Sequence, residues 1–200
     1  VNLAELPCKS ELSALRPRFS VYAPTDPGRS AVEQFIQTIY REHYGAVLRT
    51  FKPRLAVIEE NGRIVAAAGY ASAAAPLFLE QYLAAPVEEV VARHTGRTPP
   101  RNAIVEVGQF ASAQPGQGRR LMAALARHLA ERGYQFVVST ATRELRTIFS
   151  RLRMDVLELG SADPSVLGSA AADWGSYYDH APLVLAGEIH RNLSRFAPVA

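Results

Sequence analysis

Residues 104–134 read IVEVGQFASAQPGQGRRLMAALARHLAERGY, and the fold turns on how that stretch divides. Val105 and Val107 alternate with Glu106 and Gly108, which predicts a strand with one apolar face and an acid on the other. Pro115, Gly116 and Gly118 then free the backbone to turn. From Arg119 the period becomes helical. Leu121, Leu125 and Leu129 form a stripe that Met122 and Ala126 widen, while Arg119, Arg120, Arg127, Glu131 and Arg132 are polar. Gly133 is a stop signal, and residues 135–139 predict a second strand. The unit is βαβ, with a loop suited to close backbone approach.

The first amides of a helix have no partner inside it, and the helix dipole adds partial positive charge there. Glycines remove the side chains that would keep a ligand away. Such a turn seats an anion, usually phosphate or pyrophosphate, and Arg119 and Arg120 add charge at its rim. A plain strand-to-helix turn, with glycines for geometry alone, fits the same residues.

Upstream, residues 1–18 read as a lead-in and 19–22 as a first strand. A turn at Asp26-Pro27-Gly28 precedes a helix over 31–44, with Val32, Phe35, Ile36, Ile39 and Tyr40 at helical spacing. Strands at 54–59 and 63–70 flank Asn61-Gly62, a hairpin signal because both residues tolerate positive φ. LFLEQYL at 77–83 is a dense apolar patch holding Glu80, and a helix is expected over 87–94. Downstream, Leu145, Ile148, Phe149 and Leu152 predict the inner stripe of a helix over 143–152. A strand at 156–159, a loop or short helix at 163–169 and a strand at 183–187 follow. Residues 191–200 read as an irregular tail, so the domain spans 19–190.

Formal charge is +3 and 48% of residues are hydrophobic, ordinary for a globular protein. No basic block with interleaved aromatics argues for nucleic acid. No apolar run reaches transmembrane length and no basic-then-apolar leader opens the sequence. The single cysteine, Cys8, excludes an intrachain disulfide and a thiolate metal cluster. A cytoplasmic protein without metal is the expectation. No Cys/His/Asp spacing suits a metal and no Gly-x-Ser-x-Gly elbow suits a hydrolase.

The loop resembles the cofactor loop of the GNAT superfamily of N-acetyltransferases. Gly116-Gln117-Gly118 falls on that superfamily's Gly-x-Gly, and Arg119-Arg120-Leu121-Met122 on its helix start; Ala113 stands where it has Gln or Arg. The strand resembles the Glu-x-x-Arg segment of acyl-homoserine-lactone synthases, with Glu106 on the glutamate and Gln109 in place of the arginine. In combination LFLEQYL, IVEVGQFAS, VVSTATRELR and ADWGSYYDHAPLVLAGEI resemble the thermostable hemolysin family. These likenesses imply a single-domain, GNAT-like α/β fold, a mixed central sheet flanked by helices. They imply an acyltransferase that moves an acyl group, fatty in some cases, to a small amine or amino acid. The donor is acyl-CoA or the phosphopantetheine of an acyl carrier protein.

The residues expected to carry this follow. Glu106 is the general-base candidate, with pairing to an arginine such as Arg143 as its structural alternative. Glu80 is a second carboxylate candidate, its alternative a capping acid. Asp179 with His180 is a reserve base pair. Tyr177 or Tyr178 would protonate the departing thiolate, as a late tyrosine does in many of the superfamily's enzymes. Backbone groups of Phe110, Ala111 and Ser112 would hold the pantetheine arm and carbonyl. Gly116, Gln117, Gly118, Arg119, Arg120 and Arg143 would meet its phosphates. Trp174 to His180, with Tyr40, His43 and Tyr44, would line the acceptor side, or simply edge the core. Two other functional classes compete: a non-catalytic binding module that kept the anion loop, and a membrane-active protein, which would want an exposed amphipathic helix.

Overall fold

The computed structural model describes residues 17–196. Cys8 and most of the expected lead-in lie outside them. The chain runs β1 (Arg18–Tyr22), α1 (Arg29–Tyr44), β2 (Arg54–Glu60), β3 (Arg63–Ser72), α2 (Val87–Thr95), β4 (Ile104–Ser112), α3 (Gln117–Glu131), β5 (Phe136–Ala141), α4 (Arg143–Arg151), β6 (Leu157–Ser161), β7 (Leu183–Glu188) and α5 (Ile189–Leu193). The seven strands form one mixed sheet in the order β1-β2-β3-β4-β5-β7-β6. Asn61 and Gly62 both take positive φ, 52° and 73°, which closes the β2–β3 hairpin as their sequence predicts.

Alternation along the strands sorts side chains onto two faces. Leu55, Val57, Ala67 and Ala111 meet Val32, Ile36 and Tyr40 of α1. Ala56, Ile58, Ala66, Ala68, Tyr70 and Val105 meet Leu121, Leu125 and Leu129 of α3. The alanines of β3 let α3 lie close. A third cluster joins Leu77, Leu79, Val87 and Val91 to Ile104, Phe136, Val138, Val184 and Ala186.

The central feature is a split. β4 and β5 pair in parallel only at Ile104–Phe136, Val105–Val137 and Glu106–Val138. Beyond Glu106 each strand stays with its outer neighbour: β4 with β3 as far as Ser112 against Ala66, β5 with β7 as far as Ala141 against Leu183. Gln109 takes φ 52° and the β3–β4 register shifts between Ala67 and Gly69, which turns β4 away from β5.

Two expectations change. The region after Ile189 is helical and packed: Ile189 and Asn192 are buried in α5, and Phe196 is buried beyond it. α4 forms as expected but fully buries none of its residues; its apolar stripe faces a cavity, and Ile148 is exposed.

Candidate active site

The split opens two cavities, one on each face of the sheet. The larger, about 620 Å³, runs from the turn at Gly116 between α3 and α4 to Ile189 and Phe196. Its walls are chiefly apolar: Met122, Leu125 and Leu129 from α3, Val137 from β5, and Leu145, Ile148 and Phe149 from α4. At its upper end Gly116, with φ 88°, caps α3 without any side-chain hydrogen bond. The amides of Gly118 and Arg119 have no backbone acceptor among the described residues, so the helix end stays open to an anion.

The smaller cavity, about 420 Å³, lies on the α1 face. Phe51, Phe78, Tyr82, Trp174 and Tyr178 wall it, with Glu106 among its lining. Tyr40, Gly108, Gln109, Thr140 and Tyr177 line both cavities, so the two meet through the gap between β4 and β5. Tyr40 and Tyr177 stack there, ring centroids 6.4 Å apart. Tyr177 donates its hydroxyl to the Thr140 carbonyl at 3.1 Å, and the Phe110 N–H faces the Tyr40 hydroxyl. The two phenols thus occupy edge groups that a continuous ladder would have paired. Burial pushes both well above the usual tyrosine range. The Thr140 hydroxyl is buried in this gap without a partner.

Glu106 is 3% exposed and its pairing differs from expectation. Its Oε2 lies 2.6 Å from Lys52 Nζ and accepts the Phe78 N–H at 3.0 Å. Arg143 is exposed and lines neither cavity. No donor among the described residues reaches Glu106 Oε1, while the residue lines the smaller cavity. Gln109, whose place the synthase pattern gives to arginine, is a clamp. Its Oε1 accepts the Lys52 N–H at 2.9 Å and its Nε2 donates to the Thr50 carbonyl at 2.7 Å.

Other candidates scatter. Glu80 is a brace: it accepts from Arg101 at 2.8 and 3.0 Å and from the Leu77 and Val87 amides. Arg101 foremost holds its carboxyl down at about 2. Asp179 is exposed, and His180 faces Glu144 at 2.8 Å rather than Asp179. Tyr178 bonds Tyr82, hydroxyl to hydroxyl, at 2.6 Å. At the anion turn Gly116, Gly118 and Arg119 line the larger cavity, as do Phe110 and Ser112. Ala111 is buried in register with Ala67. Gln117 and Arg120 are both tied to Glu60. His43 and Tyr44 line the larger cavity. Sequence reasoning missed Lys52, and one signal was available: of 22 basic residues only Lys9 and Lys52 are lysines.

The thermostable hemolysin family profile matches residues 22–193. The chain belongs to the thermostable hemolysin family. No match is found among curated protein sequences. Among solved structures it is similar to the AHL synthase LasI, at 15% identity and TM-score 0.61, covering 87% of this chain and 90% of that one. It is also similar to BjaI, a CoA-dependent acyl-homoserine lactone synthase with SAM and isopentyl-CoA, at 13% and 0.62, covering 90% and 88%. FeeM, an N-acyl amino acid synthase from uncultured soil microbes, matches at 16% and 0.59, covering 90% and 96%. At such identities the likeness establishes the fold, a GNAT-like α/β domain with a mixed sheet flanked by helices.

Proposed function

We propose that this member of the thermostable hemolysin family is an N-acyltransferase, carrying an acyl group from a phosphopantetheine thioester to a small amine. One observation supports this above others: two cavities of different character meet through the β4–β5 gap. The larger offers an open helix N-terminus at one end and an apolar channel below, which suits the phosphates and the fatty chain of one donor molecule. Acyl-CoA and an acyl carrier protein both present that chemistry. The smaller offers a carboxylate beside an aromatic wall, which suits an amine such as an amino acid. Among the structures that share the fold, LasI is by name an AHL synthase, BjaI a CoA-dependent acyl-homoserine lactone synthase and FeeM an N-acyl amino acid synthase.

Amide formation from a thioester needs a held carbonyl, a neutral amine and a proton acceptor. In this reading the amine attacks from the smaller cavity and Glu106 Oε1 takes its proton. The carbon–sulfur bond breaks and the thiolate leaves toward the larger cavity. Tyr177, which lines both cavities, is the hydroxyl assigned to protonate that thiolate; its burial keeps it protonated, as an acid must be. The unpartnered Thr140 hydroxyl, costly while buried alone, gains a partner when a polar donor group enters the gap.

The test is incubation with acyl-CoA and acyl-carrier-protein panels plus pooled amines and amino acids, with N-acyl products read by mass spectrometry. Glu106→Gln is expected to cut turnover by about a hundredfold or more. It also strands the Lys52 charge, at a cost of about 3–5 kcal/mol, so the result counts only while donor binding survives. Wild-type turnover in that variant removes Glu106 as base. A binding module without catalysis is the second reading, favoured by Ala113, which stands where the GNAT loop pattern has Gln or Arg. Donor binding without any product would establish it.

A further inference from the structure

Resting on the acyltransferase reading, we infer that Lys52 is a positioning residue: it holds the Glu106 carboxylate turned so that Oε1 is left for the incoming amine. Its segment carries no regular secondary structure, yet it is fixed from several directions. Gln109 clamps the Lys52 N–H at 2.9 Å from a backbone at φ 52°, a conformation that is strained for a residue with a side chain. Arg29, only 8% exposed, donates to the Lys52 carbonyl at 2.9 Å and to the Pro53 carbonyl at 3.3 Å. Gly69 leaves the room: a Cβ there would lie 2.7 Å from Lys52 Cβ and 2.8 Å from Gln109 Oε1.

What this arrangement delivers is one ammonium on one oxygen. Lys52 Nζ and the Phe78 N–H converge on Glu106 Oε2, at 2.6 and 3.0 Å, and leave Oε1 without a donor among the described residues. A carboxylate held by one oxygen has a fixed plane, and its second oxygen has a fixed direction. The lysine stem crosses the sheet beside the gap, its Cε 3.6 Å from a Cβ built on Gly108. The sequence uses arginine at nearly every basic position, so a lysine at this half-buried one stands out. Its compact ammonium reaches a single oxygen where a planar guanidinium would take both.

The other titratable groups around the chamber do not supply this charge. Tyr40, Tyr82, Tyr177 and Tyr178 are raised by burial, and Arg49 is spent on Asp173 at 3.0 Å.

The experiment compares wild type, Lys52→Met and Lys52→Arg in acyl transfer, with the KM of the amine, donor affinity and melting temperature measured on each. Lys52→Met should keep donor binding and lose about tenfold or more in kcat. The KM of the amine should change far less than kcat, because the amine still binds and only the oxygen that takes its proton is misdirected. Lys52→Arg should also lose kcat with donor binding kept, since both oxygens are then engaged. A Lys52→Met kcat that matches wild type overturns the inference. So does equal damage in both variants that tracks loss of donor binding and melting temperature, which is what a packing role gives. Either result leaves the acyltransferase reading intact, whereas a wild-type protein that transfers nothing ends both.

Discussion

Glu80 and Glu106 differ in what surrounds them, and their fates differ accordingly. Glu80 has both oxygens engaged, by Arg101 and two backbone amides, at the turn that joins the 77–83 segment to α2. Glu106 has one oxygen engaged and one without a donor among the described residues, and it lines a cavity. The lowered Glu80 value, from 4.5 to about 2, makes it a stability device with a known sign. A carboxylate whose folded value is depressed stabilises above its unfolded value and loses that contribution as pH falls through the folded one. Glu80→Gln should therefore lower stability at pH 7 by about 1–2 kcal/mol, a figure reduced for partial exposure of the pair. The deficit should shrink between pH 4.5 and 2, read by denaturant unfolding at each pH. Gly69→Ala belongs to the same scale. Its added methyl meets the root of the Lys52 side chain, which cannot swing aside as a side-chain tip would. The expected cost is about 1–3 kcal/mol in denaturant unfolding, with acyl transfer falling further than the stability loss alone explains.

At the scale of elements, what sequence periodicity reveals is whether a helix has an apolar stripe, and what it hides is the stripe's partner. α3 and α4 look alike in sequence. The α3 stripe is buried against β2, β3 and β4, while the α4 stripe of Leu145, Ile148, Phe149 and Leu152 faces the large cavity. Strands, hairpin and the βαβ unit were legible because alternation, Asn-Gly and the glycine turn are local signals. α5 was missed because IHRNL is too short for its period to register, and Ile189 gains its burial from α3, far away in the chain. Glu106 was legible as the acid on an apolar strand. Lys52 was not, because nothing local marks a residue whose meaning comes from a glycine on β3 and a bulge on β4. The unpacked α4 stripe yields its own prediction. Ile148→Ser removes a methyl-rich side chain that no core requires, so stability should stay within about 0.5 kcal/mol of wild type. KM should rise about threefold to tenfold for long-chain donors, which lose apolar contact, and stay level for short ones. Equal KM changes for both chain lengths would mean that α4 does not border the chain.

At the scale of the whole molecule, the question is where apolar surface is presented. A chain that disrupts bilayers by itself needs an amphipathic face directed outward. Among the described residues no helix is long and apolar enough to cross a membrane. Among the described residues the large exposed hydrophobics are Val47, Phe78, Ile148 and Val166, of which Phe78 and Val47 border the small cavity and Ile148 the large one. Among those residues the extensive apolar surface turns inward, along the channel under α3 and α4. The acyltransferase reading connects this to lysis through the product: a fatty acyl chain joined to a small polar amine is an amphiphile, and amphiphiles partition into bilayers. Dye-loaded liposomes should then leak when protein, long-chain donor and amine are present together. They should leak equally when the reaction mixture is filtered free of protein before it is added. Protein alone should leave them intact, and so should the mixture made with Glu106→Gln. Leakage by the protein without donor would locate the lytic activity in the chain itself. Leakage lost on filtration, with N-acyl product still in the filtrate, would separate lysis from the chemistry of the two cavities.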